Sequence, residues 1–246
     1  MAPITTKELA TLSHARPFPT SLLGSSPALA GLIFDMDGTI ADTRDYHMLA
    51  WRRLVEELGL GEREFRIAEH GFGRTNWAIF SLWWGENPPA GADCQKLSDR
   101  KEALYRELIR GHAQARPGFM ELLTSAHRRG LRIGLATSGP RENALFMLDQ
   151  LGIASYFHAV VWGHAGMCSK PHPDSFLETA RRLGVVPGRC MGVEDSNHGL
   201  WAVRRAGMLA AAIAEQSGDL LHHRAWTPFA YPDFRPMIGV MQDFFF

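Results

Sequence analysis

The 246-residue chain has no excess of charge of either sign: 26 basic residues stand against 26 acidic ones. It therefore lacks the broad positive field that draws proteins to nucleic acid, and a small ligand is the better default partner. Cysteine is scarce. Cys94, Cys168 and Cys190 are odd in number, widely spaced and without a CxxC pair, which argues against a disulfide framework and against a zinc site. They read as reduced thiols of a cytoplasmic protein. Long apolar runs are missing too: even Leu209 to Ala214 is short and is followed by Glu215, far below the roughly 20 residues a membrane span needs. The expectation is a soluble protein with no membrane partner, and the chain has no internal repeat. Residues 1–30 are nearly free of acids and rich in Ser, Thr, Pro and Ala, with too few basic residues for a transit peptide. Residues 1–27 are accordingly set apart as an N-terminal extension.

What is present is an alternation of strand and helix signals. Short apolar runs at Leu32-Ile33-Phe34, Leu131 to Ala136, Ala159 to Trp162, Cys190 to Val193 and Leu209 to Ile213 have the continuous hydrophobicity of strands buried on both faces. Between them, helical patterns stop at glycines: Arg141 to Leu151 before Gly152, Pro173 to Leu183 before Gly184, and Asn197 to Ala206 before Gly207. Such alternation predicts an α/β protein with a doubly wound parallel sheet. From residue 43 to 115 the rhythm breaks. This interval has no strand-like run, and Asp45 to Leu58 and Ser98 to Ile109 are amphipathic. The predicted organisation is a core of residues 28–42 and 116–246 with a helical cap, 43–115, inserted after the first strand. Trp83-Trp84 and Phe244-Phe245-Phe246 read as apolar groups under a loop and at a terminus.

In a doubly wound sheet, ligands gather at the carboxyl ends of the strands. There the sequence places Asp35 and Asp37, then Thr137 and Ser138, then Lys170 at longer range, and finally Glu194 and Asp195. Crowded carboxylates call for a cation, and a hard oxygen set without His or Cys suits Mg²⁺ better than zinc. Lys170, the Thr137 hydroxyl and the helix start at Gly139-Pro140 suit a dianion beside that metal. Together they describe a phosphoryl site. Asp35 is placed as nucleophile, and Asp37 as the acid and base that serves the leaving and attacking oxygens.

Asp35-x-Asp37-Gly38-Thr39, Thr137, Lys170 and Glu194-Asp195, in this order and strand context, resemble the four motifs of the haloacid dehalogenase superfamily over roughly residues 31–215. That resemblance implies a Rossmann-like core and a helical cap, with Asp35 and the Asp37 carbonyl, Glu194 and Asp195 around the metal and Thr137, Ser138 and Lys170 around the phosphate. The acidic residue at position 37 favours phosphate esters over dehalogenation. The run Asp42-Thr43-x-x-Tyr46-His47-x-x-Ala50-Trp51 is similar to β-phosphoglucomutases and related sugar-phosphate phosphatases. By the same resemblance His47, Arg74 and Lys101 line the cap side of the cleft. The mutases typically carry Ser-Lys-Asn after the second motif, whereas this chain has Gly139-Pro140-Arg141. The implied function is hydrolysis of a small phosphosugar through a phosphoaspartate. A mutase is the alternative, and a non-catalytic binding module is a distant third. A monomer is expected, with a dimer as the alternative.

Overall fold

The computed structural model describes residues 28–71, 75–85, 91–164, 166–214, 223 and 227–244, the last five of these as backbone only. Its centre is a parallel sheet of six strands: β1 (Gly31–Phe34), β2 (Arg132–Ala136), β3 (Ala159–Val161), β4 (Cys190–Glu194), β5 (Leu209–Ile213) and β6 (Ala230–Tyr231), in the order β3-β2-β1-β4-β5-β6. Register is set by pairs such as Phe34 with Leu135 and Phe34 with Val193. The chain builds outward from β1 through β2 to β3, then returns to β1's other side for β4 to β6. This reversal opens a crevice at the carboxyl ends of β1 and β4.

β1 is buried throughout, and its alternating side chains feed two cores. Leu32 and Phe34 enter one with Phe119, Leu123, Met147 and Phe234; Ile33 enters the other with Phe176, Leu200 and Val203. The helices follow the same division: α5 (Phe119–Arg128), α6 (Arg141–Gln150) and α9 (Phe234–Phe244) cover the first face, α7 (Asp174–Leu183) and α8 (Asn197–Arg205) the second. Phe34, Phe119 and Phe234 meet edge to face, with centroids 5.1 to 6.0 Å apart. Phe234 also donates its amide to the Pro117 carbonyl at 3.0 Å, pinning α9 to the segment that enters α5. Phe234→Ala is expected to cost about 3–5 kcal/mol in urea unfolding, the range for a large side chain lost from a packed core. A loss below about 1 kcal/mol would mean that this aromatic cluster collapses to fill the space.

Between β1 and β2 lie α1 (Arg44–Glu57), α2 (Glu62–His70), α3 (Asn76–Trp84) and α4 (Cys94–Ile109). α1 and α4 pack through Trp51, Leu54, Leu104 and Tyr105. The segments leading into and out of this helical insertion meet at Ala41 and Ala115, and Arg116 donates its amide to the Ile40 carbonyl at 2.7 Å. The five strands expected from sequence are present, and β6 is additional. Trp83 and Trp84 do not lie under a loop. They end α3, where Trp83 packs against Trp51 and Phe80 at 5.4 and 5.5 Å. Asn76-Trp77-Ala78-Ile79-Phe80-Ser81-Leu82-Trp83-Trp84 is apolar nearly all round, so it lacks the periodic stripe by which a surface helix is recognised. Phe244 ends α9, and Phe245 and Phe246 lie outside the described residues. Among the described residues no helix is long and apolar enough to cross a membrane.

Candidate active site

Asp35 follows β1 and Thr137 follows β2, and both side chains are buried. Gly38 allows the turn after Asp37 to close on Asp195 for two reasons. Its φ of 86° is left-handed, and a Cβ there would land on the Asp195 carboxylate. Thr39 instead offers that carboxylate its hydroxyl, at 3.0 Å. β4 ends in Glu194, and Ser196 starts α8 by accepting from the Gly199 amide at 3.0 Å. Gly199 is needed because a Cβ would collide with the Glu194 side chain.

Lys170 is the cation at the centre of this crevice. Its Nζ donates to Asp35 Oδ1 at 2.5 Å, to Glu194 Oε1 at 2.5 Å and to the Ala136 carbonyl at 3.0 Å, which uses all three ammonium hydrogens. Burial alone would lower its pKa, but the Asp35 and Glu194 charges outweigh this and hold it above the ordinary lysine value. The other Glu194 oxygen accepts from the Asp195 and Ser196 amides and the Ser196 hydroxyl, at 3.0 to 3.2 Å. Both Glu194 oxygens are thus occupied, and this side chain organises the loop and Lys170 around the crevice.

Asp35, Glu194 and Asp195 bring carboxylate oxygens within 4.8 Å of one another. Three buried or half-buried acids face one ammonium. Burial first, and then the neighbouring acids, push Asp35 well above the usual carboxylate range, with Lys170 opposing; burial and Glu194 push Asp195 up to about 7. All-oxygen donors with an excess of negative charge fit a divalent cation.

Asp37 belongs to a different environment. Its carboxylate is not part of that cluster. Oδ1 accepts from the Thr43 hydroxyl at 2.8 Å, lies 3.3 Å from His47 Nε2 and accepts from the Tyr105 hydroxyl at 3.4 Å. Burial would raise its pKa, but the hydrogen bond from His47, the Thr43 hydroxyl and the Lys101 ammonium hold it below the ordinary value. Asp37 Oδ2 faces the Thr137 loop, since a Cβ on Gly139 would lie 3.6 Å from it. Thr137 Oγ1 accepts from the Gly139 amide at 3.0 Å, leaving its hydroxyl hydrogen to donate, and Ser138 is exposed beside it.

The structure brings His47 and Lys101 to this centre in an order that sequence did not foresee. His47 stacks on Tyr105 with centroids 3.9 Å apart, and its Nδ1 lies 2.7 Å from Lys101 Nζ. An ammonium has no lone pair, so Nδ1 is the acceptor and the imidazole proton sits on Nε2, facing Asp37. Lys101 is buried and also donates to Glu102 at 3.0 Å. Its ammonium is thus engaged with the imidazole and a carboxylate, where it orients His47. Arg74 lies outside the described residues. Arg141, the departure after the second motif, places its guanidinium 5.6 Å from the Trp162 ring. Tyr105, Glu102 and Asn143 were missed by sequence reading, although Glu102, Tyr105 and Ile109 share an i, i+3, i+7 face of α4 that marks them as inward.

A doubly wound sheet with an acid cluster, a tied lysine and a hydroxyl loop at its switch point, beneath an inserted helical cap, defines an α/β enzyme of the phosphatase and phosphotransferase class. Residues 29–207 match the model of the haloacid dehalogenase-like hydrolase family, and the chain belongs to that family. It is 34% identical over 192 residues to β-phosphoglucomutase of Bacillus subtilis (76% of this chain, 84% of that protein). It is 36% identical over 186 residues to a fructose-1-phosphate phosphatase of Escherichia coli (75% of this chain, 96% of that protein). Among solved structures it is similar to β-phosphoglucomutase of Clostridium difficile, with a TM-score of 0.66, 28% identity and coverage of 78% of this chain and 87% of that one.

Proposed function

We propose that the protein is a Mg²⁺-dependent phosphohydrolase of small phosphorylated sugars, acting through a phosphoaspartate on Asp35. The observation that carries the reading is the arrangement of Asp35 and Asp37. Two carboxylates two residues apart are split into opposite environments, one inside the acid cluster beside Lys170 and the other held by three donors on the side of the helical cap. Carboxylates held in such different surroundings are suited to different roles. Asp35 is the nucleophile, attacking phosphorus with displacement of the sugar oxygen; Asp37, an anion at rest, first takes up a proton from solvent, gives it to that oxygen and afterwards takes one back from the attacking water. Thr137, Ser138 and Lys170 bind the phosphate oxygens.

Asp35, Asp195 and the Asp37 carbonyl, with Glu194 beside them, are the residues that would hold Mg²⁺. The ion supplies charge neutralisation for the transferring phosphoryl group. We assign residues 28–42 and 116–246 to the core and 43–115 to the cap, whose closure over the sugar excludes water from the first transfer. His47, Lys101 and Arg74 are the cap residues assigned to the site. The compartment best suited to such a substrate is the cytoplasm.

A mutase is the second reading, favoured by the similarity to the B. subtilis enzyme and by the Asp42-Thr43-x-x-Tyr46-His47 run. One assay separates the two. Purified protein is given a panel of phosphosugars that includes β-glucose 1-phosphate with a trace of glucose 1,6-bisphosphate, with Mg²⁺ or with EDTA. Free phosphate is expected, falling on the order of 100-fold or more when the metal is chelated. Glucose 6-phosphate without free phosphate would identify a mutase, and turnover indifferent to EDTA would remove the metal from the scheme.

A further inference from the structure

Asn143 sits in the first turn of α6, six residues after Thr137, and its side chain is buried. Its amide nitrogen donates to Glu102 Oε2 at 2.6 Å, and its amide oxygen accepts from Arg106 at 2.5 Å. Both partners lie one turn apart on α4. One core amide thus bridges two positions of the cap helix. The seam continues along both helices, with the Arg110 guanidinium 5.0 Å from the Phe146 ring and the Gly111 amide donating to Gln150 at 2.9 Å.

The Asn143 end of this seam reaches the reacting groups. The other oxygen of Glu102 accepts from Lys101 Nζ at 3.0 Å and from Asn76 at 2.8 Å. Lys101 in turn donates to His47, and His47 to Asp37. A continuous line of hydrogen bonds therefore runs from the helix that begins at the Thr137 loop, across the cap, and back to Asp37. Each polar atom on it is buried or half-buried, where a lost partner costs more than at a surface.

We propose that Asn143 is a positioning residue whose amide registers α4 against the Thr137 loop, so that Lys101 orients His47 toward Asp37 only when the cap helices are seated on the core. The inference rests on the reading of Asp37 as acid and base. Its consequence is that seating the cap and preparing the proton carrier are one event, since the same bridge supports both.

Asn143→Asp keeps shape and the Arg106 contact but sets a carboxylate against Glu102. Adding Glu102→Gln to the same chain reverses the bond: the new amide on α4 donates to the new carboxylate on α6, and its oxygen still accepts from Lys101 and Asn76. In Mg²⁺-dependent phosphosugar hydrolysis, the single variant is expected to lose about 10- to 100-fold in kcat, the scale of an ångström-level misplacement, with KM within about twofold. The double variant is expected to regain most of the loss. Hydrogen exchange of the α4 amides, which needs no substrate, should rise in the single variant and return in the double. A folded Asn143→Asp protein with unchanged kcat overturns the proposal, as does a double variant no faster than the single. Should Asn143→Asp not fold, Asn143→Ser removes the bridge without a charge and carries the same expectation. Hydrolysis that survives Asp35→Asn would instead defeat the underlying assignment of Asp35 and Asp37, and that control is run alongside.

Discussion

Asp35→Asn is expected to lower kcat at least about 10⁴-fold, because the substitution removes the atom that bonds to phosphorus and leaves only binding and electrostatics behind. The same change should leave stability equal or higher. Asp35 is buried beside Glu194 and Asp195, and burial together with the charges of these acids and, least, of Asp37 holds its carboxyl well above the normal range, with Lys170 opposing them. A neutral amide of the same shape relieves like-charge crowding, and Lys170 keeps Glu194 and the Ala136 carbonyl as acceptors. Phosphate release, a thermal melt and acid-quenched labelling from radioactive substrate check the three parts. Residual turnover above about a thousandth of wild type, or label retained on the Asn variant, would put the nucleophile elsewhere.

How far this site can be read from sequence depends on what fixes each residue. Asp35, Thr137 and Glu194 stand at strand ends, and the apolar runs that precede them mark those ends in the sequence. Parallel pairing of β1 with β2 and β4 then brings the three together, so local pattern was enough. Lys170 follows β3 at a distance and is recognisable only in company with the other motifs. The contacts of Lys101 were out of reach for a different reason. They are set by the approach of α4 to α1 and α6, a tertiary fact with no counterpart in the spacing of any of these helices. Asn143 on its own is an ordinary polar residue in a helix's first turn; it acquires meaning only when Glu102 and Arg106 are seen to close on it. Strand β6 escaped because it pairs through only two residues, Ala230 and Tyr231.

Lys170→Met is expected to be the second most damaging change, and it tests stability and catalysis together. Nζ lies 2.5 Å from a carboxylate on each side, both of them buried. Methionine matches most of the stem's length but leaves Asp35 and Glu194 facing each other without a cation. Breaking a buried pair by removing one partner costs about 3–5 kcal/mol. The protein has one escape, protonation of Asp35, which burial already favours. That escape also disables the nucleophile, so kcat is expected to fall by about 10³-fold or more. Mg²⁺ then separates the two losses. The variant's crevice carries the same acids as wild type and one positive charge fewer, so the ion should raise its melting temperature by more than it raises that of wild type, without returning activity. Lys170→Arg is expected to recover stability in part and turnover hardly at all, because a planar fork does not fit three acceptors arranged around a point charge. Equal Mg²⁺ shifts in wild type and Lys170→Met would mean that lysine and metal do not share the charge of Asp35, and the acid cluster would then need another reason for its crowding.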